Sequence, residues 1–364
     1  MSKPLIPNWV TFPEDNWSSI TPEQAGLDSK RFWTWIQALK VKGASFGGED
    51  HSGNQYGCVI TRGGYLIHSW GDPDYRFQTA STGKTLCWIL LGLAIEDGLI
   101  EADELINNTW TGEGQLSHPH KYLSNGHHRS LTWRHMIGFK WGRGHYGGFP
   151  IELGIRWRQK QTGLEDQDSI SGVPEWADWT GDPFYDLYSH IEPGSVQLYS
   201  SAGYWRLGQA LTALWDNDLK NIIDERLFSK IGIAPNHWDW PAGRDVMREK
   251  YLYPSIPDSY TYLDPPFEVN GHPVRSAPGW VEISASNWAK FGHLLSTKGN
   301  WKGEQIIDPQ WLRGHGGGNK SGVCGESHYY TSMGMVTTEG IEHGFSAARE
   351  SFIPVELISG PVAV

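Results

Sequence analysis

Cysteine is scarce in this sequence of 364 residues: Cys58, Cys87 and Cys324 stand far apart. They show neither the paired spacing of a zinc site nor the density of a disulfide framework, so a structural metal or a disulfide scaffold is not expected. Positive charge is short as well, with 30 Lys and Arg against 41 Asp and Glu and a formal net charge of −11. Duplex nucleic acid is therefore not expected as a partner, because phosphate binding draws on a basic surface. No run reaches the ~18 apolar residues of a membrane span, and the start lacks a basic segment followed by an apolar one. Those two features make a soluble, cytoplasmic protein with no membrane partner the expectation.

Other residue types are plentiful. Hydrophobic residues make up 38% of the chain and charged ones 20%, enough apolar sequence to bury a core. Single cores stop growing at about 250–300 residues, so one large or two interleaved domains are expected. Twenty Trp and 44 Gly hint at loops and an aromatic-lined ligand cleft, although tryptophans buried in a core are the more ordinary reading.

Two β-rich runs between residues 55 and 70 flank Arg62-Gly63-Gly64, and glycines supply the positive φ of a tight hairpin turn. Leu86, Ile89, Leu90, Leu93 and Ala94 recur at helical spacing up to Asp97-Gly98, where a glycine stop is expected. That spacing predicts a buried helix beginning near Ser81. Between about Leu99 and Pro265 few stretches alternate, and patches such as Leu207, Leu211 and Leu214, or Ile222 to Leu227, read as helix between long loops. A further helix is predicted over Ser284 to Leu295, with Trp288, Phe291, Leu294 and Leu295 on one face, and a strand over Tyr329 to Thr338. His315-Gly316-Gly317-Gly318-Asn319 reads as a loop. Strand-like sequence at both ends around a helical middle predicts an α/β fold in which the terminal segments build one antiparallel sheet flanked by helices. The expected division is 1–98 with 270–364 as the sheet domain and 99–269 as a mainly helical domain with long loops, the active site lying at their interface.

The chemistry-bearing string is Phe77-Gln78-Thr79-Ala80-Ser81-Thr82-Gly83-Lys84-Thr85. A phosphate-cradling loop would need glycine at position 78 and a preceding parallel strand, and it has Gln78 after an antiparallel hairpin. What remains is Ser-x-x-Lys at the start of a buried helix. Helical i, i+3 spacing puts Ser81 and Lys84 on one face. Serine needs an adjacent base to act as a nucleophile. Lysine serves as that base once it sheds its proton near neutrality, and moving its pKa from about 10.4 to about 7–8 costs about 4 kcal/mol, which burial or a nearby cation supplies. The free N–H groups at the helix N-terminus favour negative charge beside Ser81. The ordinary alternative is that Ser81 only caps the helix and Lys84 lies in solvent, for short Ser-x-x-Lys strings are common by chance.

Several blocks in order resemble the penicillin-recognising serine hydrolases, the β-lactamase-like superfamily of class C β-lactamases, D-amino-acid carboxypeptidases, related esterases and 6-aminohexanoate-oligomer hydrolases. Phe77 to Ala94 and its exit through Asp103 resemble the active-serine helix, and Leu131 to Ile137 the threonine-initiated helix that follows. The turn after it reads Gly138-Phe139-Lys140-Trp141-Gly142 where the family has His-Thr-Ser-Gly. Glu192-Pro193-Gly194 and Leu198 to Gly208 are similar to the Tyr-x-Asn block, with Tyr199 in place and Ser201 standing for Asn. Pro278 to Gly292 and Trp301 to Pro309 resemble the later helix and hairpin, so the resemblance runs from about residue 20 to 312.

The resemblance implies the β-lactamase-like fold. It also implies that Ser81 is the acyl-forming nucleophile, that Lys84 accepts its proton, and that Tyr199 shares that proton and protonates the leaving group. Which of Lys84 and Tyr199 is the acting base stays open. Ser201 would face substrate. The third family motif, a basic residue followed by Thr or Ser and Gly on an edge strand, is missing in plain form. Candidates for its place are Gly334-Met335-Val336-Thr337-Thr338-Glu339-Gly340, His315-Gly316-Gly317 and His343-Gly344. The first is preferred, with Gly334 and Met335 as oxyanion or substrate contacts. Without a basic residue there, an esterase or amidase acting on small esters or amides is expected ahead of a dedicated β-lactamase, with no cofactor and no metal. A non-catalytic ligand-binding protein on the same fold is the second expectation, and a nucleotide-dependent enzyme the third. His118, His120, His127 and His128 near Tyr146 read as loop packing ahead of metal ligands, and Glu165, Asp166 and Asp168 as a solvated acidic patch.

Overall fold

The computed structural model describes residues 8–43, 57–79, 83–109, 130, 132–136, 201–243, 268–277, 279–315, 336–337 and 340–341. In chain order these form α1 (Ser29–Gly43), β1 (Gly57–Arg62), β2 (Tyr65–Gly71), β3 (Arg76–Gln78), α2 (Lys84–Glu96), α3 (Ile106–Thr109), α4 (Trp133–Met136), α5 (Ser201–Trp215) and α6 (Leu219–Ile223). A π-helical turn and two 3-10 turns carry the chain to β4 (Trp238–Asp239). Then come β5 (Glu268–Val269), β6 (His272–Pro273), β7 (Glu282–Ser284), α7 (Ala285–Ser296), β8 (Asn300–Trp301), β9 (Glu304–Gln305), α8 (Pro309–His315), β10 (Val336–Thr337) and β11 (Gly340–Ile341). Among the described residues no helix is long and apolar enough to cross a membrane.

The chain divides into two compact units, each discontinuous in sequence. One comprises Met1–Thr82, Ile223–Asp239 and Trp280–Val364, the other Gly83–Ile222 and Trp240–Gly279. Helix α2 thus falls in the second unit, although the sequence grouped it with 1–98, and Ile223–Asp239 falls in the first.

In the first unit the expected hairpin is present, β1 pairing antiparallel with β2. Its two-residue turn, Gly63-Gly64, has φ of +59° and +86°, the paired positive values that match the right-handed twist of the strands. A Cβ on Gly64 would stand 1.9 Å from the Thr11 carbonyl oxygen, so the turn also admits the N-terminal segment, whose Thr11 N–H donates to the Gly63 carbonyl at 2.8 Å. One side of the hairpin buries Ile60 and Ile67 against Phe32 and Ile36 of α1.

N- and C-terminal sequence does pair, as expected, but in a different sheet. β7 is the middle strand of a three-stranded antiparallel sheet between β3 and β4. Among the described residues β1 and β2 make a sheet of their own, and the third strand of the other sheet, β4, comes from the stretch read as helix and loop. Two residues of strand are too short to show period-2 alternation, which is why β4 left no signal. Behind this sheet Phe228 packs edge-on to Trp238 at 4.6 Å and to Phe291 of α7 at 6.0 Å between ring centroids. Ser284 caps α7, its side chain accepting from the Asn287 N–H. All four apolar residues assigned to one face of that helix are buried.

In the second unit α2 is buried on every side from Lys84 to Ala94. An all-round apolar helix is a core helix. It stops where the sequence placed the stop: Gly98 has φ +70°, its N–H donates to the Ile95 carbonyl at 3.0 Å, and Leu99 N–H reaches the Ala94 carbonyl at 3.0 Å. That pair of bonds is the Schellman cap, which needs a left-handed residue after the helix. Helix α5 lies against α2. The 275–277 segment packs beside them, with Cys87 Sγ 3.6 Å from the Ala277 carbonyl and a Cβ on Gly208 only 2.6 Å from that of Ala277.

Candidate functional site

Of the six residues assigned to the site, the structure describes the surroundings of Lys84 alone. Ser81, Tyr199, Gly334 and Met335 lie outside the described residues, and Ser201 opens α5 with its side chain outside them. His118, His120, His127, His128, Tyr146, Glu165, Asp166 and Asp168 also lie outside, as do residues 329–335 of the expected strand; its last part forms β10, which turns back to pair with β11. Among the described residues no group of three or more His, Cys, Asp or Glu could hold a metal ion.

What is described bears directly on the two readings of Ser-x-x-Lys. The described part of α2 runs from Lys84; Gly83 before it has φ −60°, ψ −17° and no side-chain cap hydrogen bond, and the expected start at Ser81 lies outside the described residues. Lys84 is 0% exposed, so it does not lie in solvent. A buried ammonium is costly unless it is compensated, and lysine is almost never buried without a reason.

One compensation is visible. The face of Tyr204, itself buried in the first turn of α5, stands over Lys84 Nζ at 5.4 Å from the ring centroid. That is within the reach of a cation–π attraction. Tyr204 is held there by a buried stripe, Tyr204, Leu207, Gly208 and Leu211, at i, i+3, i+4 and i+7. One turn along α2 from the lysine, burial pushes the Cys87 thiol up while the Lys84 charge opposes the shift. A thiol pushed up by burial is a weak nucleophile at neutral pH.

Sequence reasoning quoted Tyr204 inside the second block without giving it a role. The helical spacing of the stripe was enough to bury it; which residue on α2 it would meet needed the packing.

The threonine-initiated helix is present in short form as α4. Thr132 N–H and hydroxyl both reach Nδ1 of His135, at 3.1 and 3.0 Å. Nδ1 accepts from the backbone N–H, so the ring is the neutral Nε2–H tautomer. Burial, with the Arg134 charge adding to it and Asp103 opposing, holds the His135 pKa below the usual range and keeps that tautomer. Arg134 clamps Asp103 through two hydrogen bonds of 2.6 and 2.7 Å, fixing the exit of α2 to α4.

No protein-family model matches the chain, and no curated protein does. Solved structures are similar to it in part. A Bacillus anthracis protein given the provisional name 6-aminohexanoate-dimer hydrolase aligns over 84% of this chain and 69% of its own at 14% identity and a TM-score of 0.48. The octameric penicillin-binding protein homologue of Pyrococcus abyssi aligns over 76% and 58%, at 14% identity and TM-score 0.45. A β-lactamase/D-alanine carboxypeptidase of Pseudomonas syringae aligns over 77% and 68%, at 17% identity and TM-score 0.43. All three carry names from the β-lactamase, penicillin-binding-protein and 6-aminohexanoate-dimer hydrolase group, the group that the sequence blocks resemble.

Proposed function

We propose that the protein is a serine hydrolase of the Ser-x-x-Lys type, cleaving small esters or amides through an acyl-enzyme. The observation that carries this reading is the complete burial of Lys84 at the first position of α2, three residues after Ser81. A lysine placed there only for solubility would be exposed, whereas a general base needs a dry environment in which its neutral form is accessible. The ordered blocks that resemble the β-lactamase-like hydrolases support it independently.

In this mechanism Ser81 Oγ attacks the substrate carbonyl carbon, and its proton passes to Lys84 or to Tyr199. The tetrahedral oxyanion is held by backbone N–H groups, for which 334–335 is the proposed strand. Collapse breaks the bond to the leaving alcohol or amine, which takes up the proton and departs. Water then attacks the acyl-serine, giving up its proton to the same base, and the acid leaves with the serine hydroxyl restored. Ser201 contacts substrate in this reading, and no step calls on a metal or cofactor.

A panel of p-nitrophenyl esters and amides tests it. Turnover that falls by about 10²-fold or more in Lys84→Ala and in Tyr199→Phe is expected if both move protons. Unchanged rates remove those roles. The second reading, a ligand-binding protein that keeps the fold without the reaction, is favoured by the missing basic residue of the third motif. Ligand-induced stabilisation without turnover of any panel member would support it.

A further inference from the structure

We infer that Tyr204 is a positioning residue for Lys84: its ring face stabilises the ammonium that forms when the lysine takes up a proton, and fixes the direction of Nζ. The inference rests on the serine hydrolase reading for its purpose, but its physical content stands on described geometry alone.

Both side chains are buried, on facing helices of one compact unit, with Nζ 5.4 Å from the ring centroid. Attraction between a cation and an aromatic face is strongest where water is excluded. A base that must gain charge in a dry pocket meets a desolvation cost on every turnover, and the π face lowers that cost. Tyr204 does not touch substrate in this account; it acts through Lys84. The interaction assigned here is that of the ring face.

The experiment grades the π face while keeping its shape. Phenylalanine and its mono-, di- and trifluorinated analogues are introduced at position 204, and the titration midpoint of the Lys84 side chain is read by NMR of the full chain. Expected is a midpoint that stays put in Tyr204→Phe and falls progressively with fluorination. The pH profile of acylation by an activated ester is expected to move by the same amount, and Tyr204→Phe to keep the wild-type profile. A midpoint that does not follow fluorination in folded variants overturns the inference, as does a Phe variant that behaves like the trifluoro one. The NMR readout needs no turnover. Absent acylation in wild type would therefore sink the hydrolase reading while leaving the Lys84–Tyr204 interaction to stand or fall on the titration.

Discussion

His293 on α7 donates from Nε2 to the Thr11 carbonyl at 2.8 Å, joining residues 282 apart in sequence. The ring is enclosed by Phe12, with centroids 5.3 Å apart, and by Trp301 at 5.6 Å in an edge-on arrangement. Its Nδ1 is buried without a partner among the described residues. A proton arriving at Nδ1 would place a charge in an apolar cage. Burial accordingly pushes the His293 pKa down to about 4, against a smaller opposing effect of the bond to Thr11.

Acid stability should show this. The folded pKa lies below the usual 6.5, so the unfolded chain binds the proton more readily. The contribution is fully present above pH 6.5 and is lost as pH falls toward 4, amounting to about 3 kcal/mol across the window. Urea unfolding at pH 7.5 and pH 4.5 measures it, with His293→Gln as the reference in which this component of the pH dependence disappears. Equal pH dependence of wild type and variant would remove the assignment.

Gly64→Ala should destabilise far more than Gly271→Ala. Both glycines have positive φ, +86° and +80°, so both substitutions carry the same backbone strain of about 1 kcal/mol. At Gly64 the added methyl also meets the Thr11 carbonyl oxygen at 1.9 Å, whereas at Gly271 nothing lies within 4 Å. Thermal melts should show an excess loss of about 2 kcal/mol or more for the first variant. Similar losses would mean that the N-terminal segment is not held at the turn.

In the second unit Arg275 grips Asp218 through two hydrogen bonds, 2.8 and 2.5 Å, and gives a third to the Trp240 carbonyl at 2.6 Å. The side chains are 17% and 12% exposed, so screening trims the interaction without removing it. Asp218→Asn is expected to cost about 2–3 kcal/mol, because the guanidinium then stays largely buried without its charge partner. Arg275→Lys should lose nearly as much, since an ammonium cannot make the forked contact and reach Trp240 as well. A double-mutant cycle reads the coupling, and a coupling near zero would contradict the pairing.

Much of the local structure was legible because short-range chemistry decides it. Gly63-Gly64 between β-rich runs gave the hairpin, Asp97-Gly98 gave the end of α2, and Ser284 before an apolar stripe gave the start of α7. What long-range pairing decides was harder to read. The sequence offered no reason for Trp238–Asp239 to join β7, or for His293 to find Thr11, because neither partner carries a periodic signal. In the candidate site, helical spacing made the apolar wall around Lys84 readable. Tyr204 opposite it was visible only as a buried position, because sequence periodicity tells which residues turn inward and not which neighbour they meet.

The central claim is that buried Lys84 makes Ser81 reactive, and covalent labelling tests it most directly. Wild-type protein is treated with a fluorophosphonate and the intact mass is followed in time, beside Ser81→Ala and Lys84→Met. The expected result is a single adduct on wild type, none on Ser81→Ala, and labelling slowed by about 10²-fold or more in Lys84→Met. Labelling of Ser81→Ala at the wild-type rate, or of Lys84→Met without loss of speed, would contradict it.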